Sequence, residues 1–127
     1  MKKPMLFILG LLFALALTGC SAEQKKFEIP DVQKMAVISV DGRKVEITDA
    51  DMIRRMTDMV TSIPFEKGES SKQSNGFGPI LQWYDAGGNV VESISVMGEQ
   101  TINYDGYFWT ALDGGIDTAL LDELLDA

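Results

Sequence analysis

The sequence predicts an α+β domain, an antiparallel sheet with two helices on one face, in the order β-β-α-β-β-β-β-α. Three observations predict it. Asp41-Gly42, Asp105-Gly106 and the Ala-Gly-Gly-Asn segment at 86–89 each centre a stretch of alternating apolar residues, the mark of a hairpin. Apolar residues recurring at steps of one, three and four mark one helix after the first hairpin and another at the C-terminus. Each hairpin, folded about its own turn, collects a coherent apolar face, so turn chemistry and patterning support the same two-layer packing.

A two-residue turn at Asp41-Gly42 pairs Val40 with Arg43 and Ala36 with Ile47, which puts Ala36, Ile38, Val40, Val45 and Ile47 on the core face. Thr48-Asp49-Ala50-Asp51 has the capping-box form, a hydroxyl for the first amide protons and an acid where the helix dipole favours negative charge. Met52, Ile53, Met56, Met59, Val60 and Ile63 form the apolar stripe of the helix, and Pro64 stops it. Three thioethers at this spacing could hold Cu(I) by type, but embedded among Ile53, Val60 and Ile63 they read as core filler.

Residues 64–79 mix Gly, Ser, Pro and charge without a period and read as a long loop, a kind more often functional or disordered than incidental. In the next hairpin Leu81, Trp83, Ile94 and Val96 share one face and Gln82, Ser93 and Ser95 the other. Glu92 falls opposite Trp83, which suggests a bulge. The last hairpin pairs Tyr104 with Tyr107, Asn103 with Phe108 and Ile102 with Trp109. Asp117 is placed to cap a terminal helix whose apolar face is Leu120, Leu121, Leu124 and Leu125.

The chain has 127 residues, 11 Lys+Arg against 19 Asp+Glu, no His and one Cys. Without imidazole there is no Ser-His-Asp triad, no Cys-His dyad and no His-ligated zinc or haem, and a net charge of −8 argues against nucleic acid. Glu69-Ser70-Ser71-Lys72 lacks the Ser-x-x-Lys spacing, Gly76 and Gly78 are not followed by the Lys of a phosphate loop, and no segment has the ligand spacing of an EF-hand. No metal, no cofactor and no enzymatic activity are expected.

Lys2 and Lys3 precede an apolar run from residue 5 to 17, too short for a membrane-spanning helix, which reads as a signal peptide. Leu17-Thr18-Gly19-Cys20 then resembles the lipobox of bacterial lipoproteins, with small residues before the only Cys. The resemblance implies cleavage before Cys20 and its modification with fatty-acyl chains, palmitate among them, and hence a lipid-anchored chain on the extracytoplasmic face of the cell membrane. Ser21 does not match the Asp that retains lipoproteins at the inner membrane of two-membrane bacteria. Removing residues 1–19 leaves 108 of 127 and takes away two lysines, so the net charge becomes −10. Residues 20–30 read as the lipidated Cys and a flexible tether, on the order of 17 Å long, in which Lys25 and Lys26 either meet anionic lipid or are simply solvated. Residues 31–127 form one domain. In element order and size this domain is similar to small uncharacterised lipoproteins of Gram-positive bacteria.

Candidate binding residues are aromatic. Tyr84 and Phe108 fall on the polar side of their strands, and Phe65 and Phe77 lie in the 64–79 loop. After Lys72 there is no basic residue, and Asp85, Glu92, Glu99, Asp105, Asp113, Asp117, Asp122, Glu123 and Asp126 make the C-terminal part acidic. The expected function is a non-catalytic module that binds a protein or envelope component through the polar sheet face, the 64–79 loop, or both. The alternatives are a small-ligand or cation sensor using the acidic half and, with less support, a small hydrolase. If the lipobox reading holds, cells fed a fatty-acid probe will label the wild-type chain, and Cys20→Ala will abolish that label and leave the precursor uncleaved on a gel.

Overall fold

The sheet is built from hairpins whose turns fix the register. The computed structural model describes residues 22–73 and 78–126, so the signal peptide, Cys20 and Phe77 lie outside the described residues. Eight strands alternate with two helices: β1 (Gln24–Lys25), β2 (Lys34–Ile38), β3 (Lys44–Ile47), α1 (Ala50–Thr61), β4 (Phe65–Ser70), β5 (Ile80–Tyr84), β6 (Val90–Val96), β7 (Thr101–Tyr104), β8 (Tyr107–Ala111) and α2 (Thr118–Asp126). They form one antiparallel sheet in the order β1-β4-β8-β7-β6-β5-β2-β3. The α+β class, with two helices on the sheet, is as expected.

Two hairpins keep the expected register. In β7–β8, Tyr104 faces Tyr107 and Ile102 faces Trp109 across a turn where Asp105 has φ 53° and Gly106 φ 81°, the positive pair that a type I′ turn requires. In β5–β6, Leu81 faces Ile94 and Trp83 faces Glu92, and the register then shifts between Trp83 and Tyr84, so the suspected irregularity at Glu92 is present.

The first hairpin corrects the expectation. Met35 faces Ile47 and Val37 faces Val45, one residue away from the predicted pairing. The ladder closes at Ser39 and Arg43 over three residues rather than two, because Gly42 at φ 91° turns the chain as a bulge after the Val40-Asp41 corner. The slip flips every side chain of β2. Met35 and Val37 go into the core, Ala36 and Ile38 to the other face, and Val40 is 65% exposed. Ser39 Oγ donates to Asp41, and the Arg43 guanidinium holds the same carboxylate at 3.0 Å; the two partners bring its pKa down to about 2. Arg43 Nη1 also donates to the carbonyl of Leu125 at 3.1 Å, which places positive charge on the last turn of α2.

Two further corrections concern segments read as irregular. Residues 65–70 of the supposed loop are β4, paired to β8 on one side and β1 on the other, with a bulge between Lys67 and Ser70. Within the supposed tether, Gln24 and Lys25 pair with Glu66 and Phe65, and Phe27 is 2% exposed. Its ring stands edge-on to Phe65 at 5.7 Å and to Tyr104 at 4.8 Å. The helix cap also differs: α1 begins after Asp49, which makes no side-chain cap hydrogen bond, whereas Asp117 Oδ1 accepts from the Leu120 amide at 3.0 Å and caps α2 as expected.

One core results. Met35, Val37, Leu81, Trp83, Ile94, Val96, Ile102, Trp109 and Phe65 line one sheet face, and Ile53, Met56 and Val60 of α1 and Leu120, Leu121 and Leu125 of α2 close over it. Met56 is fully buried, and Met52 and Met59 pack at the margin, so the Met stripe is core. Trp83 donates its indole N–H to Thr57 Oγ1 at 3.0 Å, so that the polar edge of this buried ring is satisfied by the helix above it. Residues 26–33 join β1, at one edge of the sheet, to β2, near the other. Six strand spacings measure about 29 Å and the nine Cα steps from Lys25 to Lys34 reach about 30 Å when extended, so this strap crosses the core face with little slack. Phe27 is its anchor. Phe27→Ala should therefore cost about 3–5 kcal/mol in urea unfolding of the chain from Ser21 onward, where a solvated tether would give a change near zero.

Candidate functional site

Two surfaces present functional side chains. The first is the open face of the sheet, opposite the core. Strand pairing lines up Phe108, Asn103, Ser95, Ile80, Ile38 and Lys44 in one row across β8, β7, β6, β5, β2 and β3, with Gln82, Ser93 and Glu46 in the row beside it. Phe108, Ile80 and Ile38 are half-buried, and among the described residues no helix covers them.

The segment that follows β4 starts and ends on this face. The Ser71 amide donates to the Gly106 carbonyl at 2.9 Å, and Ser71 Oγ donates to Asn103 Oδ1 at 2.7 Å. At the other end Ser95 Oγ reaches the Gly78 carbonyl at 3.4 Å, and the Pro79 carbonyl accepts from the Val96 amide at 2.7 Å. A Cβ on Gly78 would lie 1.7 Å from the Val96 carbonyl oxygen, so only glycine allows the backbone this close to β6. The polar sheet face and what is left of the loop are thus one surface.

Tyr84 sits on the same face but is only 8% exposed. Its hydroxyl donates to Gln82 Oε1 at 2.6 Å, and the ammonium groups of Lys34 and Lys44 lie 5.5 and 5.3 Å from its ring centre. Glu46 bridges those lysines at 3.1 and 3.8 Å. Tyr84 therefore serves as a platform beneath charged groups rather than as a free stacking ring. Phe65 is a correction: it is fully buried against Phe27 and cannot touch a ligand. Phe108 alone among the described aromatic candidates keeps an accessible ring on the open face. Of the residues that pin the loop, sequence reasoning placed Ser95 on the polar face of its hairpin but did not single out Ser71 or Asn103. The alternation of Asn103 and Ser95 with core residues was their only signal.

The second surface is a groove of about 700 Å³ between the strap and α1, lined by Asp31, Gln33, Thr48, Arg54, Thr57 and Asp58. Its charged groups are on the rim. Arg54 is 72% exposed and leans toward Asp51 at 3.8 Å, so the groove lacks the few desolvated, convergent polar groups that orient a small ligand. At the end of the strap Lys25 and Lys67 lie over aromatic rings, Lys67 Nζ at 4.0 Å from the centre of Tyr107. Burial, with Glu92 and Asp105 nearby, pushes the Tyr104 hydroxyl above its ordinary pKa, so it stays a neutral donor.

The acidic C-terminal residues are dispersed, and among the described residues no three His, Cys, Asp or Glu side chains come together as metal ligands. Among the described residues no helix is long and apolar enough to cross a membrane. Comparison with family models, curated proteins and solved structures returned no match to this chain. Because Ser71 Oγ ties the strand end to Asn103, Ser71→Ala should cost about 1 kcal/mol and speed tryptic cleavage after Lys72 several-fold, with other tryptic sites unaffected.

Proposed function

We propose that this chain is a lipid-anchored extracytoplasmic module that binds a protein or an envelope polymer without chemistry of its own, using the open sheet face. The observation that carries the reading is the row from Phe108 to Ile38, in which half-buried Phe108, Ile80 and Ile38 are interrupted by Asn103 and Ser95 and bordered by Gln82 and Ser93, and which neither helix covers. A strip of apolar groups with a polar border is the composition of a protein docking patch, where buried aromatic groups give affinity and the rim gives register. The lipobox at Leu17-Thr18-Gly19-Cys20 supports the location, and the lack of His supports a binding rather than a catalytic role. The groove beside α1 is open and its charges are solvated, which favours the sheet face over a small-ligand site.

The test is a photo-crosslinking amino acid placed in the full-length protein in living cells. At Ser93, exposed on the open face, it should give one or a few discrete adducts. At Asp51, on the outer side of α1, it should give none above background. Adducts from Asp51 alone would refute the assignment of the face.

A further inference from the structure

We infer that the anchored domain stands edge-on to its membrane, with the β1–β4 edge against the lipid surface and the β2–β3 hairpin pointing away. This rests on the acylation of Cys20 proposed above. The structure shortens the tether drastically. Lys67 donates its amide to the Glu23 carbonyl at 2.8 Å, so Glu23 already belongs to the ladder that Gln24 and Lys25 continue. Only Ser21 and Ala22 separate it from Cys20, and three Cα steps reach at most about 11 Å. An eight-stranded sheet spans seven strand spacings, about 34 Å, so β3 begins some three tethers away from the anchor.

Charge over the rest of the domain disfavours lying flat. The mature chain carries −10, so an anionic leaflet repels the body of the domain, while at the edge beside the anchor Lys25, Lys26 and Lys67 offset the neighbouring carboxylates. Glu23 is paired with Lys67 at 3.3 Å, and Glu28 and Glu66 also lie near this edge, so the short tether carries the orientation and the lysines make the contact tolerable. The acidic helix α2, with Asp122, Glu123 and Asp126 exposed, packs on β2 and β3 at the far side. In this pose the open face stands perpendicular to the bilayer.

The test uses the full-length acylated protein in vesicles of phosphatidylcholine and phosphatidylglycerol containing a nitroxide-headgroup lipid. Because Cys20 is the only native cysteine, a fluorophore can be placed at Gln24→Cys, near the anchor, or at Val40→Cys, on the far hairpin. Quenching at position 24 should exceed that at position 40 by at least fivefold. Ten Gly/Ser residues inserted after Ala22 should lower the quenching at position 24. Equal quenching at 24 and 40, or quenching at 24 that is indifferent to the insertion, overturns the edge-on pose while the anchor stands. Failure of the unlabelled wild-type protein to float with the vesicles overturns the anchor and the pose together.

Discussion

The edge-to-face contact of Phe27 with Phe65 and Tyr104 is the constraint on which the architecture depends. It fastens the N-terminal segment across the sheet, and because that segment spans nearly the whole core face with little slack, its position decides where β1 and β2 can be. β1 then covers part of the outer side of β4, and β4 in turn extends the sheet beyond β8. Without the ring in place, Gln24 and Lys25 would have two ladder pairs as their only support, too few to hold a strand in water.

The same crossing explains why one face of the sheet is closed and the other open. The strap, α1 and α2 all lie on the side of Trp83 and Leu81, so every large side chain of that face is covered. Among the described residues no helix is left for the other side, where Ser, Asn and Gln alternate with Ile38, Ile80 and Phe108. The chain binds the beginning and end of its post-β4 segment to this side through Asn103 and Ser95. A surface that is semi-apolar, broad and fixed by a rigid ladder is suited to recognising something large.

What was legible in the sequence followed turn chemistry. Asp105-Gly106 admits essentially one hairpin geometry, and the register of β7–β8 came out of it directly. Asp41-Gly42 admits two, because glycine can close either a two-residue turn or a three-residue turn with a bulge, and that one-residue ambiguity exchanged the faces of β2. β4 was hidden because Phe-Glu-Lys-Gly-Glu-Ser has one apolar residue; its pairing comes from neighbours on both sides rather than from its own propensity. β1 was hidden by its length. Of the site, the composition of the open face was readable from alternation, but the burial of Tyr84 under Lys34 and Lys44 depends on β2 lying beside β5, a long-range pairing that no local signal states.

The two ladder pairs of β1, followed by a wholly enclosed ring, also have a mechanical meaning. A pull on the N-terminus would first peel Glu23 to Lys25 from β4 one hydrogen bond at a time, at low force. It would then stall at Phe27, where the load is shared with Phe65 and Tyr104. The molecule thus carries a soft extensible leader in series with a stiff stop, and a chain built this way can yield by a few residues under strain without losing its fold.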